Sequence, residues 1–120
     1  MAGKPQGSGA ALVRQIIRCR RLRVQLFGEG LFADPAWDML LDLALARAAR
    51  KHVSITGLCL ASGVPTTTAL RWIRLLEQVG LVLREEDPTD RRRSHIMLTE
   101  QAADAMTRYL AAVAQGGGEG

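Results

Sequence analysis

Cysteine is scarce. Cys19 and Cys59 are the two in 120 residues, too few for the disulfide framework of a small secreted domain. Histidine is as rare, and His52 and His95 have no metal-ligand spacing to each other or to the cysteines, so no metal site is expected. No run approaches the roughly 18 uncharged apolar residues of a membrane span. Met1 to Ala11 lack the apolar stretch of a secretory leader, so a cytoplasmic location is expected. No Gly-rich phosphate loop or nucleophile elbow is present. Asp38 and Asp42 lie one helical turn apart, a spacing common on exposed faces. No catalytic residue, cofactor or enzyme activity is expected. Aromatics make up 4% of the chain, yet 48% is hydrophobic, enough for the modest core of one domain.

What is present is basic charge, unevenly spread. Sixteen Lys and Arg against twelve Asp and Glu leave +4. Residues 1–53 hold nine basic and four acidic side chains, while residues 84–93 hold four of each. A basic amino-terminal half suits an anionic partner, although solvated helix faces account for the charge equally well.

Residues 1–9 and 115–120 are rich in Gly and polar residues and read as flexible tails around a folded unit at 10–114. Ala10 to Phe27 reads as a helix with an apolar stripe at Leu12, Ile16, Cys19, Leu26 and Phe27, interrupted by Arg20 and Arg23. Asp34 and Pro35 have start chemistry for a second helix, with Trp37, Leu40, Leu41, Ala44 and Ala48 turned inward. Ser54 caps a short third helix to Ala61, and Ser62-Gly63 makes a turn. Pro65 and Thr66 to Thr68 open a fourth helix ending at Gly80, with Ala69, Trp72 or Ile73, Leu76 and Val79 inward. Leu81 to Arg84 and Ser94 to Leu98 are β-prone around the turn residues Asp87-Pro88-Thr89-Asp90. Thr99 caps a last helix whose stripe is Ala103, Met106, Leu110 and Val113. The predicted fold is mainly α with a small β-hairpin (α+β), a winged helix-turn-helix in the order α-α-α-α-β-β-α.

Two helices joined by Ala61-Ser62-Gly63-Val64 form a helix-turn-helix pattern. In such a motif the start of the second helix reaches base edges in the major groove. Thr66, Thr67 and Thr68 can touch bases or phosphates, and Arg71 can reach a guanine or a phosphate. Arg74 and Lys51 are candidates for the phosphate backbone. The competing reading makes the threonines caps and the arginines solvated. The hairpin adds Arg91, Arg92 and Arg93, which can follow a minor groove or its phosphates. Glu85, Glu86, Asp87 and Asp90 weigh against a purely basic surface; Asp90 can orient a neighbouring arginine by ion pairing.

Residues 63–80, GVPTTTALRWIRLLEQVG, followed by Leu81-Val82, resemble the recognition-helix segment of MarR-type regulators. Residues 87–99, DPTDRRRSHIMLT, resemble that family's wing, which reads Asp-x-x-Asp-Arg-Arg, then a strand and Leu-Thr. The resemblance covers residues 34–110 and is sharpest over 54–99. It implies a homodimeric transcription regulator, a repressor in the usual case, that binds specific sequences in double-stranded DNA. By resemblance Asp90 and Arg92 take wing positions with Arg91 and Arg93 beside them, and Thr66 to Thr68, Leu70 and Arg71 take recognition-helix positions. Two departures stand out: no Gly follows Leu98-Thr99 in Gln101-Ala102-Ala103, and the last helix is short. The Ala10–Phe27 helix is therefore expected to supply dimer contacts, beside Met106, Leu110 and Val113.

Cys59 is expected in the core; Cys19, among Arg18, Arg20 and Arg21, reads as packing or as a thiol activated by cations. Trp37 and Trp72 are expected as core anchors, His52 as a surface or capping residue, and His95 as a solvent-facing strand residue, with contact to phosphate as the alternative. The competing function is a winged-helix module that binds protein. A small-molecule effector is possible, but the sequence shows no polar constellation that names one.

Overall fold

The computed structural model describes residues 5–28, 31, 33–90 and 93–116. The elements are α1 (Pro5–Phe27), α2 (Pro35–Ala48), β1 (Val53–Ser54), α3 (Ile55–Ala61), α4 (Thr66–Gln78), β2 (Val82–Glu86), β3 (Ser94–Leu98) and α5 (Glu100–Gly116). The strands form one antiparallel sheet in the order β1-β3-β2. The predicted order lacks β1. Two residues are too few to show an alternating pattern, and this strand exists through its partner: Val53 stands opposite Ile96 and Ser54 opposite His95.

α1 begins at Pro5, not at Ala10 as predicted. Proline suits a first helical turn, and Gly7 and Gly9 weaken a helix without forbidding it. At the other end α5 runs to Gly116, into the stretch read as a tail. Asp34 stands at the N-cap of α2, but its side chain makes no capping bond; Pro35 in the first turn provides the start. Ser54 and Thr99 do cap as predicted, accepting hydrogen bonds from the amides of Gly57 at 2.9 Å and Ala102 at 3.1 Å. The Thr99 hydroxyl also donates to the Gly80 carbonyl at 2.8 Å, tying the start of α5 to the end of α4. Gly80 itself has φ +80, the left-handed turn that a side chain resists.

The main core gathers Met39, Leu43, Leu58, Cys59, Ala69, Ile73, Leu76, Val82, Ile96, Leu98 and Ala102. Burying a side chain such as Ile73 stabilises the fold by about 1.5–3 kcal/mol. A second cluster joins Val13, Leu41 and Met106, with Ile16, Ile17 and Trp37 packed against it, so α1 rests on α2 and α5. The predicted stripe of α5 holds, with Met106 buried and Ala103, Leu110 and Val113 half-buried, and that of α4 holds except at Val79, whereas those of α1 and α2 are rotated. In α1, Val13 is buried while Cys19, Leu26 and Phe27 are exposed. The inward face is set by Val13, Ile16 and Ile17, and Arg20 beside them pairs with Asp38 of α2. In α2, Met39, Leu41 and Leu43 are the buried residues, because this helix is covered on several sides and has no single inward stripe. In α4, Ala69, Ile73 and Leu76 are buried, Trp72 is half-buried and Val79 is exposed. Ala102 and Met106 lead the inward face of α5. Among the described residues no helix is long and apolar enough to cross a membrane.

Candidate nucleic-acid interface

The turn between α3 and α4 is built by one hydroxyl and one glycine. Ser62 is buried; its Oγ donates to the Cys59 carbonyl at 2.6 Å and accepts from the Val64 amide at 3.4 Å. Gly63 follows at φ +75, which only glycine adopts without strain. Together they set the angle at which α4 leaves α3.

α4 is amphipathic by its own sequence. Ala69, Ile73 and Leu76 anchor one side in the core, which leaves Thr66, Thr67, Arg71 and Arg74 exposed on the other. Thr68 and Leu70 are half-buried, and Leu70 leans on the core. The threonines do not act as caps: Pro65 occupies the cap position, and no side chain hydrogen-bonds there. Their hydroxyls, with the guanidinium groups of Arg71 and Arg74, make no hydrogen bond or ion pair to other described residues. This leaves the outer face of α4 with open donors and acceptors.

β2 and β3 pair from Val82 with Leu98 to Glu86 with Ser94, and the hairpin loop lies between. Asp87 organises the loop. Its Oδ1 accepts from the amide and the hydroxyl of Thr89, both at 2.8 Å, and its own amide donates to the Arg93 carbonyl at 3.1 Å. These hydrogen bonds from Thr89 hold the Asp87 carboxyl below the ordinary carboxylate range. The Asp90 carboxylate lies 3.7 Å from Nε of Arg93. Arg93 is exposed. Arg91 and Arg92, the other two wing candidates, lie outside the described residues. Lys51 is exposed but is not brought to the hairpin loop: the register from Ser54 opposite His95 to Val53 opposite Ile96 carries the chain before β1 away from it.

Two contacts escaped the reading of the sequence. Arg84 of β2 donates from Nε and Nη2 to the Glu77 carboxylate of α4 at 2.8 and 3.1 Å. This bidentate pair fixes the hairpin against α4 with a defined geometry. The signal was faint: two opposite charges on either side of Gly80, in separate elements. His95, expected to face solvent, is instead enclosed. It stacks on His52 with ring centroids 4.3 Å apart, and its Nε2 lies 3.6 Å from Asp87. Among the described residues no group of three or more His, Cys, Asp or Glu side chains is placed to hold a metal ion.

A helix-turn-helix followed by a pinned three-stranded wing defines the class: this is a winged-helix fold, the one the MarR-type resemblance implied. Among solved structures the chain is similar to AF1382 from Archaeoglobus fulgidus, with TM-score 0.57 and 19% identity over 76% of this chain and 92% of that one. It is similar to MepR of S. aureus in its DNA complex, with TM-score 0.57 and 17% identity over 88% of this chain and 81% of that one. It is also similar to the transcriptional regulator PA4135, with TM-score 0.56 and 18% identity over 88% and 72%. No family model matches the sequence, and neither does any curated protein.

Proposed function

We propose that this chain is a transcription regulator that binds specific sequences in double-stranded DNA, with α4 in the major groove and the β2–β3 wing along the adjacent minor groove. The observation that carries this reading is the outer face of α4. Thr66, Thr67, Arg71 and Arg74 stand exposed, with side chains unpaired among the described residues, on a helix whose opposite face is locked in the core. A structural neighbour with the same fold is a DNA complex. Arg71, Thr67 and Thr68 are assigned to bases or nearby phosphates, Arg74 and Lys51 to the backbone, and Arg91 to Arg93 to the wing. Leu70 supports the helix from behind. Repression, by occupancy of an operator, is the mode assigned by the family resemblance, in the cytoplasm and without catalysis.

The functional unit is proposed to be a homodimer on two half-sites. Leu22, Leu26 and Phe27 on α1 are 49%, 67% and 63% exposed, an apolar row that a second copy can cover. A second function is favoured by one observation: Leu75, Val79 and Leu83 expose 43%, 55% and 37% of their surface at the end of α4 and the start of β2. A protein-binding module would use such residues. Titration of the chain with random-sequence duplex DNA across a range of salt decides between the two. Affinity that drops steeply with salt is expected for phosphate contacts; absence of binding at low salt would leave the protein-binding module.

A further inference from the structure

A crevice of about 370 Å³ lies between α1, α2 and the α3–α4 turn, away from the outer face of α4. That is near the lower end of the roughly 300–1,000 Å³ typical of small-molecule sites, a size for a ligand of few heavy atoms. Its polar wall holds two arginines and two aspartates: Arg20, Arg21, Asp38 and Asp42. They are not equivalent. Arg20 and Asp38 pair with each other and satisfy their charges internally. Asp42 and Arg21 make no hydrogen bond or ion pair with each other or with another described residue, and act on each other only through space. Asp42 is half-buried, and Arg21 is close enough to act on its charge. Burial pushes the Asp42 carboxyl above its ordinary range, and Arg21 opposes that rise in part. The rest of the wall includes apolar residues: Ile17 and Val24 flank the two arginines along the same face of α1, and Leu60 comes from α3. Leu60 is 80% exposed, although it belongs to a helix with a buried side of its own.

We propose that this crevice binds a small zwitterion with an apolar tail, an α-amino acid of the leucine type, with its ammonium on Asp42, its carboxylate on Arg21 and its side chain against Ile17, Val24 and Leu60. The charge count selects this class. The polar wall sums to zero, so a lone cation leaves Arg21 facing like charge, and a lone anion faces Asp42. A ligand carrying both charges answers both groups. The position gives the site a regulatory consequence, which rests on the DNA-binding function proposed above. Ala61, Ser62 and Gly63 of the helix-turn-helix turn line the same crevice. A ligand bridging α1 to that turn favours one setting of α3 against α4, so ligand and DNA affinity are linked reciprocally.

Calorimetric titration of the full chain with leucine, isoamylamine and isocaproate tests the site without DNA. The amine lacks the carboxylate and the acid lacks the ammonium. Leucine is expected to bind at least about tenfold more tightly than either, the worth of one charge-assisted hydrogen bond. Asp42→Asn should erase leucine's advantage over isocaproate, and Arg21→Gln its advantage over isoamylamine, while thermal melts confirm that both variants fold. No heat with millimolar leucine, or equal affinity for amine and amino acid, overturns the proposal. The duplex titration is then repeated with saturating leucine. A chain that binds leucine but not DNA keeps the site and loses the DNA-binding function; unchanged DNA affinity removes the regulatory link alone.

Discussion

Arg84 and Asp42 show how a single side chain's surroundings decide what its replacement does. Arg84 sits on an exposed ion pair with Glu77, and such pairs contribute under about 1 kcal/mol to folding. Its work is angular: it holds β2 against α4. Arg84→Ala should therefore leave the melting temperature nearly unchanged and weaken DNA binding, with no change in the salt dependence, because no phosphate contact is lost. A reduced salt slope would make Arg84 a phosphate ligand instead. Asp42 has the opposite character. Its carboxyl is pushed above the ordinary value by burial, so its ionised form opposes folding. The stability associated with the protonated form is complete below pH about 3.8, the unfolded value, and is lost as pH rises through the folded value. Asp42→Asn should thus melt higher than the parent at neutral pH, with the difference closing in acid, as followed by circular dichroism.

At the scale of elements, local chemistry was readable, and facing direction was readable in α4 and α5 but not in α1 and α2. Ser54, Gly80 and Thr99 were legible because a cap or a left-handed turn needs only neighbours along the chain. The strands at Val82 and Ser94 were legible because turn residues bracket them. The inward face of α1 was not, because apolar residues lie on more than one side of this helix and the packing of Val13 and Ile17 on α2 and α5 selects between them. β1 was invisible for the same reason, being defined by β3. In the candidate site, the α4 threonines and arginines followed from spacing, whereas the Arg84–Glu77 and His52–His95 contacts needed the tertiary fold. Two outcomes belong here. Ser54→Ala should cost about 1 kcal/mol, seen as a lowered denaturant midpoint, since it frees the Gly57 amide at the start of α3. On α4, Arg71→Ala or Arg74→Ala should lower the salt slope of DNA binding by about 1 if the replaced group meets a phosphate. Equal affinity and slope in both variants would remove α4 from the interface.

For the molecule as a whole, α1 is a scaffold with one face spent and one exposed. Val13, Ile16 and Ile17 rest on α2 and α5, while Leu22, Leu26 and Phe27 remain at the surface. Light scattering at micromolar concentration should give about twice the chain mass of 13.1 kDa. Leu26→Glu should shift that mass towards the monomer without unfolding the domain; a monomeric parent would refute the dimer. The two residues of β1 have a further consequence. They hydrogen-bond the junction of α2 and α3 to β3, residues more than forty positions later in the chain. The wing is thereby stitched into the same backbone ladder as the start of the helix-turn-helix, so opening β3 from that edge breaks hydrogen bonds of both. In hydrogen–deuterium exchange the β3 amides should then share the slow, global exchange of the core helices, while the loop at Pro88 and Thr89 exchanges through local fluctuations.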